Sequence, residues 1–423
     1  MTSRSAPPWT DVLRRYGLVS GSSAFVSVAH FAIQLVAIAR LPASGVGLLA
    51  FAIVLIQLGF GLSNALVCAP YSILIHRTDG RTDGLRTLRA VNLALSVGYG
   101  VLVGVVMGVG ASSLAVALGF GATAFLALIR WFGRNHAYAE DQPVRAALSD
   151  LIYAAILGLW AGAVLWLGGG LAHIAAGFVV ATLLALVPFT AVIGALVGIA
   201  SLGAYRPIWR DQASWALVGV VTSEATTNGH AYLVTAMLGP DAFAPLSVAA
   251  LFLRPLNVCI TALTQTERPR MARDLSAGRV DAAERSRRHF LLVLLLLWAG
   301  TIALAAGMLW LVPGTVVPAK LDARSVEIAV VLTGAIALLQ CIMTPASVLL
   351  QAADRFRALA TASMVACGVS VAGVALVLTS FAAAWSLVGI LLGQAVMMWG
   401  VVVAERRWRR DGRETVSRER DDG

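Results

Sequence analysis

Charge is scarce in this chain. Of its 423 residues only 13% are Asp, Glu, Lys or Arg, 59% are hydrophobic, and the mean hydropathy is +0.82. A soluble globular protein does not carry so much apolar surface, so the composition defines an integral membrane protein. Cysteine is scarce as well. Cys68, Cys259, Cys341 and Cys367 lie in or at the ends of apolar runs without metal-ligand spacing. That pattern implies no disulfide framework and fits small packing residues. The sequence shows no phosphate-binding glycine loop, no ATPase domain and no His/Cys/carboxylate cluster. No cofactor, metal site or enzyme constellation is therefore expected. Asp150, within "LSDLIY", reads as a cap of the helix it opens. Large connections are also missing: the longest, 71–87, 131–147 and 266–288, are short and leave no room for the big catalytic loop of a membrane-embedded polysaccharide polymerase or glycosyltransferase.

Long apolar runs are what the chain has in quantity. A span needs about 20 residues, and twelve are present: 18–40, 46–70, 88–109, 111–130, 148–168, 172–200, 213–238, 242–265, 289–312, 327–350, 358–379 and 383–404. The first is longer than a signal-peptide core and is expected to be retained. Lysine and arginine alternate between the connections. Only Arg40, Lys320 and Arg324 fall in six of them, Arg254 stands inside a span, and the other 28 occupy the N-terminal segment, the alternate connections and the C-terminus. This asymmetry predicts a multi-pass protein of the bacterial cytoplasmic membrane with both termini in the cytoplasm. The net charge of +10 thus reports topology rather than nucleic-acid binding. The tail "ERRWRRDGRETVSRERDDG" is expected to rest on anionic membrane lipids.

A shift of 197 residues places "ARLPASGVGLLAFA" (39–52) on "AMLGPDAFAPLSVA" (236–249). Six spans per half is an even number, so the halves form a parallel repeat. The expected organisation is a cytoplasmic segment 1–17, an N-lobe 18–200, a cytoplasmic linker 201–212, a C-lobe 213–404 and a basic tail 405–423. Polar residues mark one face of the first two helices of each half. They are Ser20, Ser23, Ser27, His30 and Gln34 in the first span, and Gln57, Gly61, Asn64 and Cys68 in the second. The seventh carries Glu224, Asn228 and Thr235, and the eighth Arg254, Asn257, Thr261, Thr264 and Gln265. Such faces either bond to neighbouring helices or line a wet cavity between the lobes. Gly100, Gly104 and Gly108 in the third span read as a packing seam.

Arg254 is the sharpest signal. A charge at the bilayer centre costs roughly 2.5 to 3.5 kcal/mol on insertion scales. Arg254 and Glu224 both lie about 16 Å from the inner ends of their spans, given the rise of a helix. Two readings stand side by side. In one they form a buried ion pair, with Pro255 kinking the helix. In the other Arg254 meets an anionic substrate, or substrate binding breaks the pair.

Several segments resemble the multidrug/oligosaccharidyl-lipid/polysaccharide (MOP) exporter superfamily, in its polysaccharide-transporter branch. They are "LVAIARLPASGVGLLAFAIVLIQLGFGLSNAL", "VTAMLGPDAFAPLSVAALFLRPLNV" with the following "ERPRMARDLSAGR", and "IRWFGRNHAYAEDQPVRAALSDLIYA". The resemblance covers about 200 residues in patches across both halves, in loose patterns. It implies an all-α protein of two six-helix lobes that rock to open a central cavity to each side in turn. The implied substrate is an undecaprenyl-diphosphate-linked oligosaccharide of O-antigen or exopolysaccharide biosynthesis, carried by a monomeric flippase. A polysaccharide polymerase and chain-length machinery are candidate partners. Transport is driven by H+, Na+ or the membrane potential. By position Arg254 fits the role of holding the diphosphate that the resemblance implies; Arg40, near the outer end of the first span, is either a second cation or a residue snorkelling to the interface; Glu224 departs from a cationic cavity. Ser27, His30, Gln34, Gln57, Asn64, Asn228, Asn257 and Thr261 complete the candidate cavity lining. The rivals are a major-facilitator transporter, suggested by "HRTDGR", and a multidrug antiporter with Glu224 as its cation site.

Overall fold

The computed structural model describes residues 9–75, 81–140, 142–190, 202–311, 321–353 and 355–421. Each of the twelve expected spans falls on a helix. These are α1 (Trp9–Arg40), α2 (starting with Ala43–Ser63), α3 (Arg81–Ala111), α4 (Leu114–Ala139), α5 (Pro143–Leu167) and α6 (Leu171–Leu184). They continue with α7 (Ser214–Leu238), α8 (Pro240–Phe252 and then Arg254–Ser276), α9 (Val280–Leu311), α10 (Ala323–Ala352), α11 (Phe356–Leu378) and α12 (Leu387–Asp421). The expected residues 191–200 of the sixth span lie outside the described residues. Two compact units divide the chain, Met1–Val220 and Val221–Gly423. Among the described residues nine helices are long and apolar enough to cross a membrane, and the two halves of α8 make a tenth span bent by 54°. Helix α7 is not among these, because Glu224, Asn228 and His230 dilute its hydropathy.

The helices are longer than the apolar windows. Arg134 lies inside α4, which runs on past Arg130 to Ala139, and not in a connection beginning at 131. The expected 266–288 connection is mostly helix, reduced to a turn at Ala277–Arg279 where Gly278 adopts a φ of +70°. Only glycine enters that region without steric cost. The N-terminal segment is helical from Trp9, and α12 runs on through the basic tail to Asp421. Hydropathy marks where a helix leaves the bilayer. It does not mark where the helix stops, and these Arg-, Glu- and Ala-rich ends are good helix formers.

In the first unit the expected glycine seam closes α3 on α4. A Cβ on Gly104 would lie 3.0 Å from the Ala117 carbonyl oxygen, and one on Gly121 would lie 2.9 Å from that of Gly100. No larger residue fits such an approach without displacing backbone. A second seam joins α11 to α12 in the other unit. There Gly389 faces Gly373 and Val374, and a Cβ on Gly393 would sit 2.6 Å from that of Ser370. Val101, Val105 and Val109 line a groove along the first seam and are exposed, as suits a surface solvated by lipid.

Hydroxyls inside the spans mostly bond backwards along their own helix. Thr123 donates to the Gly119 carbonyl, Thr182 to Phe178, Thr226 to Thr222 and Thr333 to Ala329, all within 2.6–2.8 Å. This satisfies a polar group where no water is available. At the start of α10, outside the spans, Asp322 caps the helix by accepting from the Ser325 N–H at 3.0 Å and from its hydroxyl. Those hydrogen bonds hold the Asp322 carboxyl below its usual range.

The turn at Ala277–Arg279 gives a direct check on orientation. A cysteine replacing exposed Ala277, in a chain lacking the four native cysteines, should resist an impermeant thiol reagent in intact spheroplasts and react after lysis. Reaction from outside would invert the topology. Ser286, farther along, would be a poor reporter because it is buried and donates to Glu267 at 2.5 Å.

Candidate functional site

The polar faces of the two units are built differently. In the first unit Ser22, His30 and Arg40 of α1 are drawn into bonds with α5. The His30 ring nitrogen Nε2 lies 2.9 Å from the Tyr153 hydroxyl on α5, and its ring packs edge-on to Phe178 on α6. Ser27 and Gln34 are half-buried and also engaged. Arg40, at the outer end of α1, donates to the Leu165 carbonyl near the end of α5. That carbonyl belongs to a helix C-terminus, which favours a cation. Gln57 and Asn64 of α2 are exposed. Asn64 opens a π turn, Asn64–Cys68, after which the helix resumes as Ala69–Leu74.

Behind His30 lies a cluster that sequence reasoning missed. Asp150 does not cap α5. It sits in the interior of that helix with no solvent exposure, and the cap position belongs to Gln142. Its carboxylate accepts from Arg130 at 2.5 Å, Arg134 at 3.0 Å and Ser22 at 3.1 Å. Arg130 also donates to Ser149 at 2.9 Å and lies 4.4 Å from the centre of the Tyr153 ring. Ser149 passes a bond on to the Ala185 carbonyl at 2.7 Å. Residues of α1, α4 and α5, and the end of α6, thus meet on one buried carboxylate. The available signal was the i, i+4 spacing of Arg130 and Arg134 beside the lone acid of "LSDLIY", which places both guanidinium groups on one helical face.

In the second unit the same residue types are less enclosed. Glu224, half-buried on α7, accepts from Asn228 at 2.9 Å and from the Tyr232 hydroxyl at 2.6 Å through the same carboxylate oxygen. These partners sit four and eight residues along, on the same face of α7. Arg254 is half-buried and begins the second half of α8, immediately after the break at Leu253. The expected proline kink is therefore present. Pro255 has no N–H to continue the ladder and its ring excludes a regular turn before it. Arg254 is engaged rather than bare. Asn257 and Thr261, one and two turns further, are exposed, and the Thr261 hydroxyl bonds to the Asn257 carbonyl at 2.9 Å. The kink puts a cation and a strip of amide and hydroxyl groups at mid-helix. Chemically, this arrangement can hold an ion or a polar head but offers no nucleophile beside a base. No grouping of three metal-ligating side chains occurs among the described residues.

No family model matches the chain, and no curated protein resembles it in sequence. Solved structures do resemble it. An inward-facing multidrug-resistance MATE family transporter of the MOP superfamily superposes with a TM-score of 0.66 at 13% identity, over 90% of this chain and 94% of that one. An outward-facing member of the same family gives 0.58 at 15%, over 94% of each chain. A MOP superfamily transporter from Pyrococcus furiosus, described as having a binding pocket of reversed polarity, gives 0.58 at 14% over 94% and 95%. At such identities the likeness is one of fold: this chain shares the all-helical fold of these transporters.

Breaking the buried cluster from one side should be costly. Asp150→Asn leaves two guanidinium groups facing a neutral amide, and removing one partner of a buried pair costs about 3 to 5 kcal/mol. The expected result is a sharply lower melting temperature of the detergent-purified protein. Tyr153→Phe, which removes only the hydroxyl facing His30, should shift it far less.

Proposed function

We propose that this protein is a secondary exporter. It moves an amphipathic solute across the cytoplasmic membrane by alternating access, in the manner of the multidrug transporters whose fold it shares. The observation that carries this reading is the fold likeness over at least 90% of the chain to transporters captured both inward-facing and outward-facing. The alternating positive charge supports cytoplasmic termini and the inner membrane as the location. In this reading Glu224 is the coupling carboxylate. Asn228 and Tyr232 donate to it, so a proton or Na+ competes with neighbours already in place. No covalent step is involved, and the chain acts as a carrier rather than an enzyme.

A second reading is favoured by one residue. Arg254 places a guanidinium at a helix break in mid-span, where a planar fork suits a phosphate. It supports translocation of a polyprenyl-diphosphate-linked glycan, with Arg254 on the diphosphate.

Purified protein in liposomes separates the two. Under an imposed H+ or Na+ gradient the wild type should move a fluorescent cationic amphiphile such as ethidium. Glu224→Gln should abolish the gradient dependence, while Arg254→Gln keeps most of the flux. A wild type that moves no amphiphile under either gradient sinks the exporter reading. The glycan reading then requires lipid-linked oligosaccharide transfer that Arg254→Gln abolishes at normal abundance and Arg254→Lys restores in part. Full rescue of that transfer by adding Glu224→Gln would return Arg254 to architecture.

A further inference from the structure

The inner ends of α11 and α12 enclose a groove of about 490 Å3 that the transport reading does not use. Gly400 packs against Ala362 at its floor, where a Cβ on the glycine would come within 2.6 Å of that alanine's. The close approach lets the larger side chains on either side stand up as walls. Val365, Val396 and Trp399 form the apolar part, and Trp399 is 69% exposed. At the other end of the groove stand Arg355, just before α11, and Arg407 on α12, with Trp408 beside them. Arg409 takes no part in it. Two residues on, it faces the other side of α12 and is held by Glu284 at 2.8 Å and Glu405 at 2.6 Å. The groove is thus apolar along its length and doubly cationic at its mouth, with indole rings at both levels.

We infer that this groove holds one anionic phospholipid, its headgroup phosphate between Arg355 and Arg407 and an acyl chain along Val365, Val396 and Trp399. Each part of that ligand meets a matching part of the site. A phosphate suits two guanidinium groups at the basic end of a membrane helix. Tryptophan side chains favour the headgroup level, and the apolar walls exclude a wholly polar ligand. A second copy of the chain fits poorly, because a two-fold contact on this face would set the same arginines against each other. The larger groove, about 790 Å3 on the α3–α4 seam, has only apolar walls beside Ser113 and no group to select a headgroup. The inference is independent of which solute the protein carries. It is more specific than a basic tail resting on a charged surface, since it names two arginines and excludes their neighbours.

Native mass spectrometry of the full-length, delipidated protein tests it, with phosphatidylglycerol and phosphatidylcholine of identical chains as probes. The wild type should retain one phosphatidylglycerol well beyond its binding of phosphatidylcholine. Arg355→Gln with Arg407→Gln should weaken that first lipid about thirty-fold, from two basic contacts at a membrane surface. Arg406→Gln with Arg410→Gln removes the same charge outside the groove and should leave it unchanged. Thr361→Trp, at an exposed lining position, should fill the groove and reduce both lipids. Equal weakening in the two arginine pairs, displacement by inorganic phosphate, or a dimer that Thr361→Trp dissolves would each overturn the assignment.

Discussion

The carboxylate of Asp150 sits where no water reaches it, and the first unit is arranged around that fact. An isolated ion in such a place would cost several kcal/mol even after relaxation. Three donors from two other helices remove the penalty: Arg130 and Arg134 on α4, and Ser22 on α1. Each donor has its own further contact. Arg130 leans on the Tyr153 ring and reaches Ser149, which in turn satisfies a carbonyl at the end of α6. Hydrophobic burial cannot hold helices together in lipid, because the tails are as apolar as leucine. Directional polar contacts and close glycine seams do that work instead, and this unit has both.

The second unit meets the same requirement with less enclosure. Glu224 is held by its own helix, and Arg254 stands at a break in α8 with exposed Asn257 and Thr261 following it. A sealed charge cluster such as that at Asp150 costs a great deal to open, so it suits architecture. A half-open one can exchange a partner at modest cost, so it suits binding. This contrast, more than the identity of any residue, directs the functional reading to α7 and α8.

Membrane insertion made much of the fold legible in advance. Twelve apolar runs became twelve helices, because a span must satisfy every backbone group internally and only a helix does so segment by segment. The Gly100, Gly104, Gly108 row became a helix seam, and Pro255 became a kink, since both effects are local. Other expectations failed for equally physical reasons. Connections read as loops at 131–147 and 266–288 are largely helical, because loss of hydropathy says nothing about loss of helical hydrogen bonds. A lone acid near a helix start is ordinarily a cap. Asp150 instead meets a pair of arginines twenty and sixteen positions earlier, brought alongside by the α4–α5 turn.

The sequence alone determined the class of solvent, the placing of the apolar helices and the distribution of positive charge, because each follows from composition counted along the chain. It also determined that Arg254 needs a reason. Only the tertiary structure decided which polar residues are spent on holding helices together and which remain half-open. That outcome depends on which helix faces which, and a stripe of His30, Ser27 and Gln34 looks the same in sequence whether it meets Tyr153 or water. Pairing between helices is set by the close packing of whole faces, and no single stretch of the chain encodes it.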